Sequence, residues 1–212
     1  MVPILSPNIE QYLNQLNNQQ ASNDALGQVM EERAARDDFP IIGPVVGSLL
    51  ELLARTARAS RVLELGSGFG YSALFFGRGV GQRGTVTLTD TDSALLDEAR
   101  QFLTQEPNGC VFEYLQGDAL ELAASLEGPF DIIFNDIDKE FYPEVPERAL
   151  SLLRPGGLLI TDNALWNGDV LDPQDAAARG VADYNRMMYS HSSFQTSIIP
   201  LRDGLSISLR VQ

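Results

Sequence analysis

"RVLELGSGFGYSALFFGRG", residues 61–79, holds three different patterns in nineteen positions. "RVLEL" (61–65) is a short apolar run of strand length. Glycines then stand at alternate positions 66, 68 and 70. "YSALFFGRG" (71–79) follows with the apolar spacing of a helix. A strand that runs through a glycine-rich turn into a helix is the first βα unit of a doubly wound sheet. Its loop lies at the carboxyl end of the strand, where such sheets bind ligands.

Outward from this unit the alternation continues. Strands are expected at 85–90 ("TVTLTD"), 111–115, 130–136 and 156–163, with helices at 92–105, 118–126 and 142–153 between them. This pattern predicts an α/β fold with a mostly parallel, doubly wound sheet. Upstream, "PVVGSLLELLARTAR" (44–58) reads as a helix with Pro44 near its start. Residues 7–36, rich in Asn and Gln, read as one or two amphipathic helices outside the main core. Downstream come a helix near 175–189 and two strands, 194–201 and 205–211. "RDG" (202–204) joins those strands as an antiparallel hairpin.

The chain has 212 residues, 44% of them apolar and 21% charged, which is enough for one domain with a proper core. Its organisation is expected to be a single domain over 1–212 with an N-terminal helical extension over about 1–37. No apolar run is long enough to span a membrane, and the start lacks the basic flank of a secretory leader. One cysteine, Cys110, is consistent with a reducing cytoplasm. The net charge of −14 repels phosphate backbones and argues against nucleic acid as a partner.

The loop spacing places an acidic residue, Glu64, two positions before the first glycine. A dinucleotide fingerprint would need glycine at 71, where Tyr71 stands. Glu64 suits a ligand bearing an ammonium group, such as the methionine part of S-adenosylmethionine, although the loop alone could be a purely structural turn. Asp90 ends the second strand, where a carboxylate can accept from both ribose hydroxyls. Helix capping is the competing role for Asp90 and, still more, for Asp92. "GDA" (117–119) follows the third strand, where an adenine would lie. Gly117 and Asp118 could equally form a turn and a cap.

Asp136 closes the fourth strand, and Asp162-Asn163 the fifth. Two carboxylates and an amide oxygen on neighbouring strands form a set for a hard cation such as Mg²⁺. Turn formation and capping are the alternative roles of the same residue types. Lys139, three residues after Asp136, is the only lysine among fifteen Lys and Arg residues. Lys and Arg both make ion pairs, but only Lys can shed its proton, which points to a general base, with a solvated lysine in an acidic turn as the alternative. The single histidine, His191, reads as a solvated loop residue.

These stretches, with "DIIFNDIDKEFYP", "RPGGLLITDNALWNGDV" and "IPLRDGLSISLR", resemble the cation-dependent O-methyltransferases, which include caffeoyl-CoA and catechol O-methyltransferases and small bacterial members. The similarity runs from about residue 38 to 211. It implies a Rossmann-like class I methyltransferase fold with a seven-stranded sheet, and a homodimer. By resemblance, Ile42, Glu64, Gly66, Ser67, Gly68, Gly70, Ser72, Asp90, Ala119 and Asp136 line the S-adenosylmethionine pocket. Asp136, Asp162 and Asn163 bind a divalent cation, Mg²⁺ first and Mn²⁺ or Ca²⁺ as alternatives. Lys139 is the catalytic base. Trp166 walls a flat phenolic ring, with core packing as its other role, and Asp203 lies near substrate or simply turns the hairpin. The expected reaction methylates one hydroxyl of a vicinal dihydroxy aromatic. A tRNA wobble hydroxyuridine methyltransferase and a nicotinamide-dependent oxidoreductase are the alternatives.

Overall fold

The structure is a computed structural model that describes residues 6–20 and 24–212. Residues 1–5, part of the start that lacks the basic flank of a leader, and 21–23, inside the helical stretch expected over 7–36, lie outside the described residues. Seven strands form one sheet in the order β3-β2-β1-β4-β5-β7-β6. They are β1 (Arg61–Leu65), β2 (Thr85–Asp90), β3 (Val111–Gln116), β4 (Phe130–Asn135), β5 (Leu153–Thr161), β6 (Phe194–Ile199) and β7 (Leu205–Arg210). The first five pair in parallel, and β7 inserts antiparallel between β5 and β6. The chain thus forms the doubly wound sheet with a terminal antiparallel hairpin that its alternating pattern predicts.

Each central strand is buried on both faces, and the period-2 alternation divides its side chains between two cores. Val62, Ile132, Phe134 and Ile160 face a layer built by α2 (Ala25–Arg36), α3 (Gly43–Thr56), α4 (Tyr71–Val80) and α5 (Ser93–Leu103). Leu63, Leu65, Ile133 and Leu159 face α6 (Ala119–Ser125), α7 (Val145–Leu152) and α8 (Ala176–Ser190). Each fully buried Leu or Phe in these layers is worth about 1.5–3 kcal/mol. Asp92 and Asp118 cap α5 and α6 by accepting backbone N–H bonds, as expected of them.

Three expectations are corrected. First, α2 is not outside the core. Met30 and Ala34, one turn apart, are buried with Val46 and Leu50 of α3. α1 (Pro7–Gln20) presents the exposed apolar residues Ile9, Tyr12 and Leu16. Second, the helix expected over 142–153 is split into a 3-10 turn, Lys139–Glu144, followed by α7. Pro143 and Pro146 have no N–H to give an α-helical ladder, so the chain winds tightly before α7 can start. Third, His191 is not solvated. Its side chain is 16% exposed, with Nε2 3.3 Å from Glu147 Oε1 and its ring edge-on to Phe194. Among the described residues no helix is long and apolar enough to cross a membrane.

Candidate active site

The carboxyl ends of β1 and β2 build one half of a cleft. Gly66, Gly68 and Gly70 all have positive φ, the left-handed region that favours glycine. At Gly66 space is also decisive, because a Cβ there would meet the Asp136 carbonyl oxygen at 2.6 Å. The loop is tied to β2 by backbone bonds. Ser67 N–H donates to the Thr89 carbonyl at 2.9 Å, and Gly68 N–H donates to Asp90 Oδ2 at 2.8 Å. Asp90 Oδ1 accepts from Asp92 N–H at 2.9 Å. Each Asp90 oxygen therefore holds a turn in place and retains a lone pair for a further donor.

Glu64 lies behind this loop, fully buried, and neither carboxylate oxygen has a hydrogen-bond partner. Burial pushes its carboxyl up to about 8. The neighbouring Ser72 and Ser67 hydroxyls lower it, and the Asp136 charge adds to the rise. An unpaired buried carboxyl is costly unless something donates to it. An ammonium group is the donor that would offset that cost most fully.

The ends of β4 and β5 form the other half. Asp136 N–H donates to the Leu65 carbonyl at 2.9 Å, and Asp162 N–H to the Asn135 carbonyl at 3.1 Å, so parallel pairing carries the two aspartates to the same rim. Lys139 Nζ donates to Asp136 Oδ1 at 2.7 Å and to the Ile137 carbonyl at 3.2 Å. It also stands 5.4 Å from the Tyr142 ring centre and 5.6 Å from that of Trp166. Burial raises the Asp136 carboxyl above its usual range, against the pull of Lys139. Burial and the Asp136 charge together push Asp162 up to about 7. Asn163 sits at φ 53 and donates from Nδ2 to Asp203 Oδ2 at 3.3 Å, while Asp203 Oδ1 accepts from Asn167 N–H. Trp166, Asn167 and Gly168 run consecutively at positive φ, a strained path that aims the Trp166 ring.

One cleft of about 880 Å³ joins the two halves. Twelve of the residues expected from the sequence line it: Ile42, Gly66, Ser67, Gly68, Ser72, Asp90, Asp136, Lys139, Asp162, Asn163, Trp166 and Asp203. Glu64 and Gly70 lie behind its wall. Ala119, the first residue of α6, is buried and does not line it. Trp166 packs on the α8-side core and also lines the cleft.

The reading of residues 7–36 missed a wall that α2 supplies. Glu31 accepts from the Tyr71 hydroxyl at 2.7 Å, and Phe39 packs edge-on to Phe69 with ring centres 5.2 Å apart. Tyr71, read only as the residue that breaks a dinucleotide fingerprint, was the available hint, because a phenol next to that loop needs a partner.

Whether these residues fit a cation can be judged from their own chemistry. Among the described residues no group of three or more His, Cys, Asp or Glu side chains is arranged to hold a metal ion. The set at β4 and β5 is two carboxylates and an amide. Asp136 and Asp162 repel one another, and Asp203 engages the Asn163 amide nitrogen, which leaves the amide oxygen as the available donor. Hard oxygen donors under mutual repulsion suit a hard divalent cation.

Comparison with known proteins shows what the chain as a whole is similar to. Residues 11–211 match the sequence model of a family described as O-methyltransferase. A catechol O-methyltransferase from Niastella koreensis is 29% identical over 179 residues, covering 79% of this chain and 81% of that protein. Caffeoyl-CoA O-methyltransferase 2 from Zea mays is 31% identical, over 78% of this chain and 68% of its own length. The crystal structure of the O-methyltransferase TomG from Streptomyces achromogenes, in complex with SAM, superposes with a TM-score of 0.85 at 27% identity. It covers 95% of this chain and 98% of that one.

Proposed function

The chain belongs to the O-methyltransferase family, and from that premise we propose that it transfers a methyl group from S-adenosylmethionine to one hydroxyl of a vicinal dihydroxy aromatic, with the help of a divalent cation. One observation carries the reading. The glycine loop 66–70, with Glu64 buried behind it, borders the same cleft as Lys139, whose Nζ lies 2.7 Å from Asp136 beside Asp162 and Asn163. A nicotinamide oxidoreductase would have no use for that second half.

Bound S-adenosylmethionine supplies a methyl group on a positively charged sulfur. Glu64 receives its ammonium group. Ser67, Ser72 and the loop 66–70 frame the methionine part, and Asp90 accepts from the ribose hydroxyls. Asp136, Asp162 and Asn163 would hold the cation, whose positive charge would make the phenol, ordinarily near pKa ~10, easier to ionise. Lys139, once its ammonium has released a proton to solvent, takes the phenolic proton at Nζ. Trp166 stacks on the acceptor ring, while Phe39 and Ile42 help to exclude water. Much of the rate then comes from holding acceptor and methyl donor in register.

The net charge of −14 disfavours a tRNA acceptor. A methyl-transfer screen over catechols, caffeoyl esters, flavonoids and hydroxyuridine-containing tRNA, with and without Mg²⁺, tests the proposal. Transfer to the small catechol-type acceptors only in the presence of the cation is the expected result. Transfer to tRNA alone would overturn the acceptor class, and undiminished transfer in excess EDTA would overturn the cation.

A further inference from the structure

On the function proposed above, the proton acceptor and the cation ligands sit on two separate loops, one after β4 and one after β5. Something must hold those loops in register, and we infer that one face of α8 does so, with Gly180 as the positioning residue for Lys139. Glycine is a poor choice in a helix interior, so its presence in the second turn of α8 calls for a local reason. The reason is contact. A Cβ on Gly180 would collide with the Lys139 carbonyl oxygen, and would lie 2.8 Å from Glu140 Cα and 3.0 Å from the Lys139 carbonyl carbon. All three are backbone atoms, so no side chain can swing aside to make room.

The next turn of the same face continues the clamp. Tyr184 is fully buried, its ring edge-on to Tyr142 at 5.6 Å and its hydroxyl 2.7 Å from Thr161 Oγ1. Tyr142 belongs to the Lys139–Glu144 turn and donates to the Asp162 carbonyl at 3.0 Å. Asn185 donates from Nδ2 to the Ala164 carbonyl at 2.7 Å. Gly180, Tyr184 and Asn185 thus touch the lysine turn on one side and the Thr161–Ala164 segment on the other. None of the three lines the cleft, so α8 acts on the chemistry only through the groups it places.

The test is a double-mutant cycle of Gly180→Ala and Lys139→Ala, read as kcat, KM and S-adenosylhomocysteine affinity. A displacement of the lysine turn by about 1 Å lowers kcat roughly 10- to 100-fold. The half of the cleft at β1 and β2 is untouched, so the affinity for S-adenosylhomocysteine stays at the parental value. In the Lys139→Ala background Gly180→Ala lowers the residual rate no further, because it acts through the lysine. Parental kcat in Gly180→Ala, or an equal loss in both backgrounds, overturns the inference. If Gly180→Ala does not fold, Tyr184→Leu replaces it in the same cycle with the same outcomes, since it removes the ring that packs on Tyr142 of the lysine turn. Parental turnover in Lys139→Ala would instead overturn the assignment of the base, and this inference with it. A dead Lys139→Ala beside a parental Gly180→Ala would overturn the positioning role alone.

Discussion

The two halves of the cleft handle buried negative charge in opposite ways. At β1 and β2 the carboxylates are separated by function. Asp90 spends one lone pair of each oxygen on backbone N–H groups, and Glu64 is buried with no partner at all. At β4 and β5 the carboxylates are crowded. Burial raises both, the Asp136 charge raises Asp162 further, and Lys139 is the ion-pair partner of Asp136 alone. On the proposed function, the first half is a mould for a ligand that brings its own positive charge, and the second is a crowded acidic site that a cation would complete. Loop geometry fixes the one and charge balance the other, so the two should break differently.

The largest expected effect comes from removing the cation. Excess EDTA should lower turnover on the order of 10³-fold, the equivalent of several kcal/mol of lost charge stabilisation, and Mg²⁺ should restore it. In Asp162→Ala restoration should fail while calorimetry still finds near-parental S-adenosylhomocysteine affinity. A loss of both together would mean that the halves are not independent.

Lys139 comes next. An arginine there keeps the charge and the ion pair with Asp136 but does not give up its proton in proteins. Lys139→Arg should therefore fall about 10²- to 10⁴-fold in turnover, close to Lys139→Ala. A parental rate in the arginine variant would reduce the contact with Asp136 to an ordinary salt bridge.

Glu64 offers a test by pH. Its carboxyl is raised from 4.5 to about 8 in the folded protein. The folded state therefore holds a proton that the unfolded chain releases above 4.5. That contribution to stability is fully present below 4.5 and is lost as pH rises towards 8, an effect of order 3 kcal/mol in the ligand-free protein. Melting temperatures from pH 5 to 8 should show the parent losing stability relative to Glu64→Gln. Parallel curves would mean that Glu64 is ionised or paired in the free protein.

The smallest effect is expected at Asp90. Removing its ribose acceptors in Asp90→Ala costs roughly 1–3 kcal/mol, or about 5- to 150-fold in S-adenosylhomocysteine affinity by calorimetry, with little change in cation dependence. Unchanged affinity would move the ribose elsewhere along the sheet.

Local sequence was most informative where one residue type has one physical use. Glycines 66, 68 and 70 at positive φ were legible from spacing, because no other residue pays so little for that backbone. Asp136 and Asp162 were legible as neighbours because parallel strands in sequence tend to pair side by side. The role of α2 was not, because Met30 and Ala34 are weak apolar signals in a polar stretch, and only the sheet that they land on makes them core. His191 was misread for the same reason. Its polar surroundings in sequence become Phe194 and Glu147 only after α8 and β6 fold together. Ala119 remained at the start of its helix, away from the cleft, because its side chain faces the α8-side core.

The order of strands and helices, the glycine turn, the acidic strand ends and the singular lysine were determined by the sequence itself, since each depends on residues close together along the chain. The tertiary structure alone decided which of them meet. The unpaired burial of Glu64, the mutual repulsion of Asp136 and Asp162, the wall from α2 and the contact of Gly180 with the Lys139 backbone all join residues distant in sequence. Burial and electrostatics act through space, and no local pattern records which surfaces will close on one another.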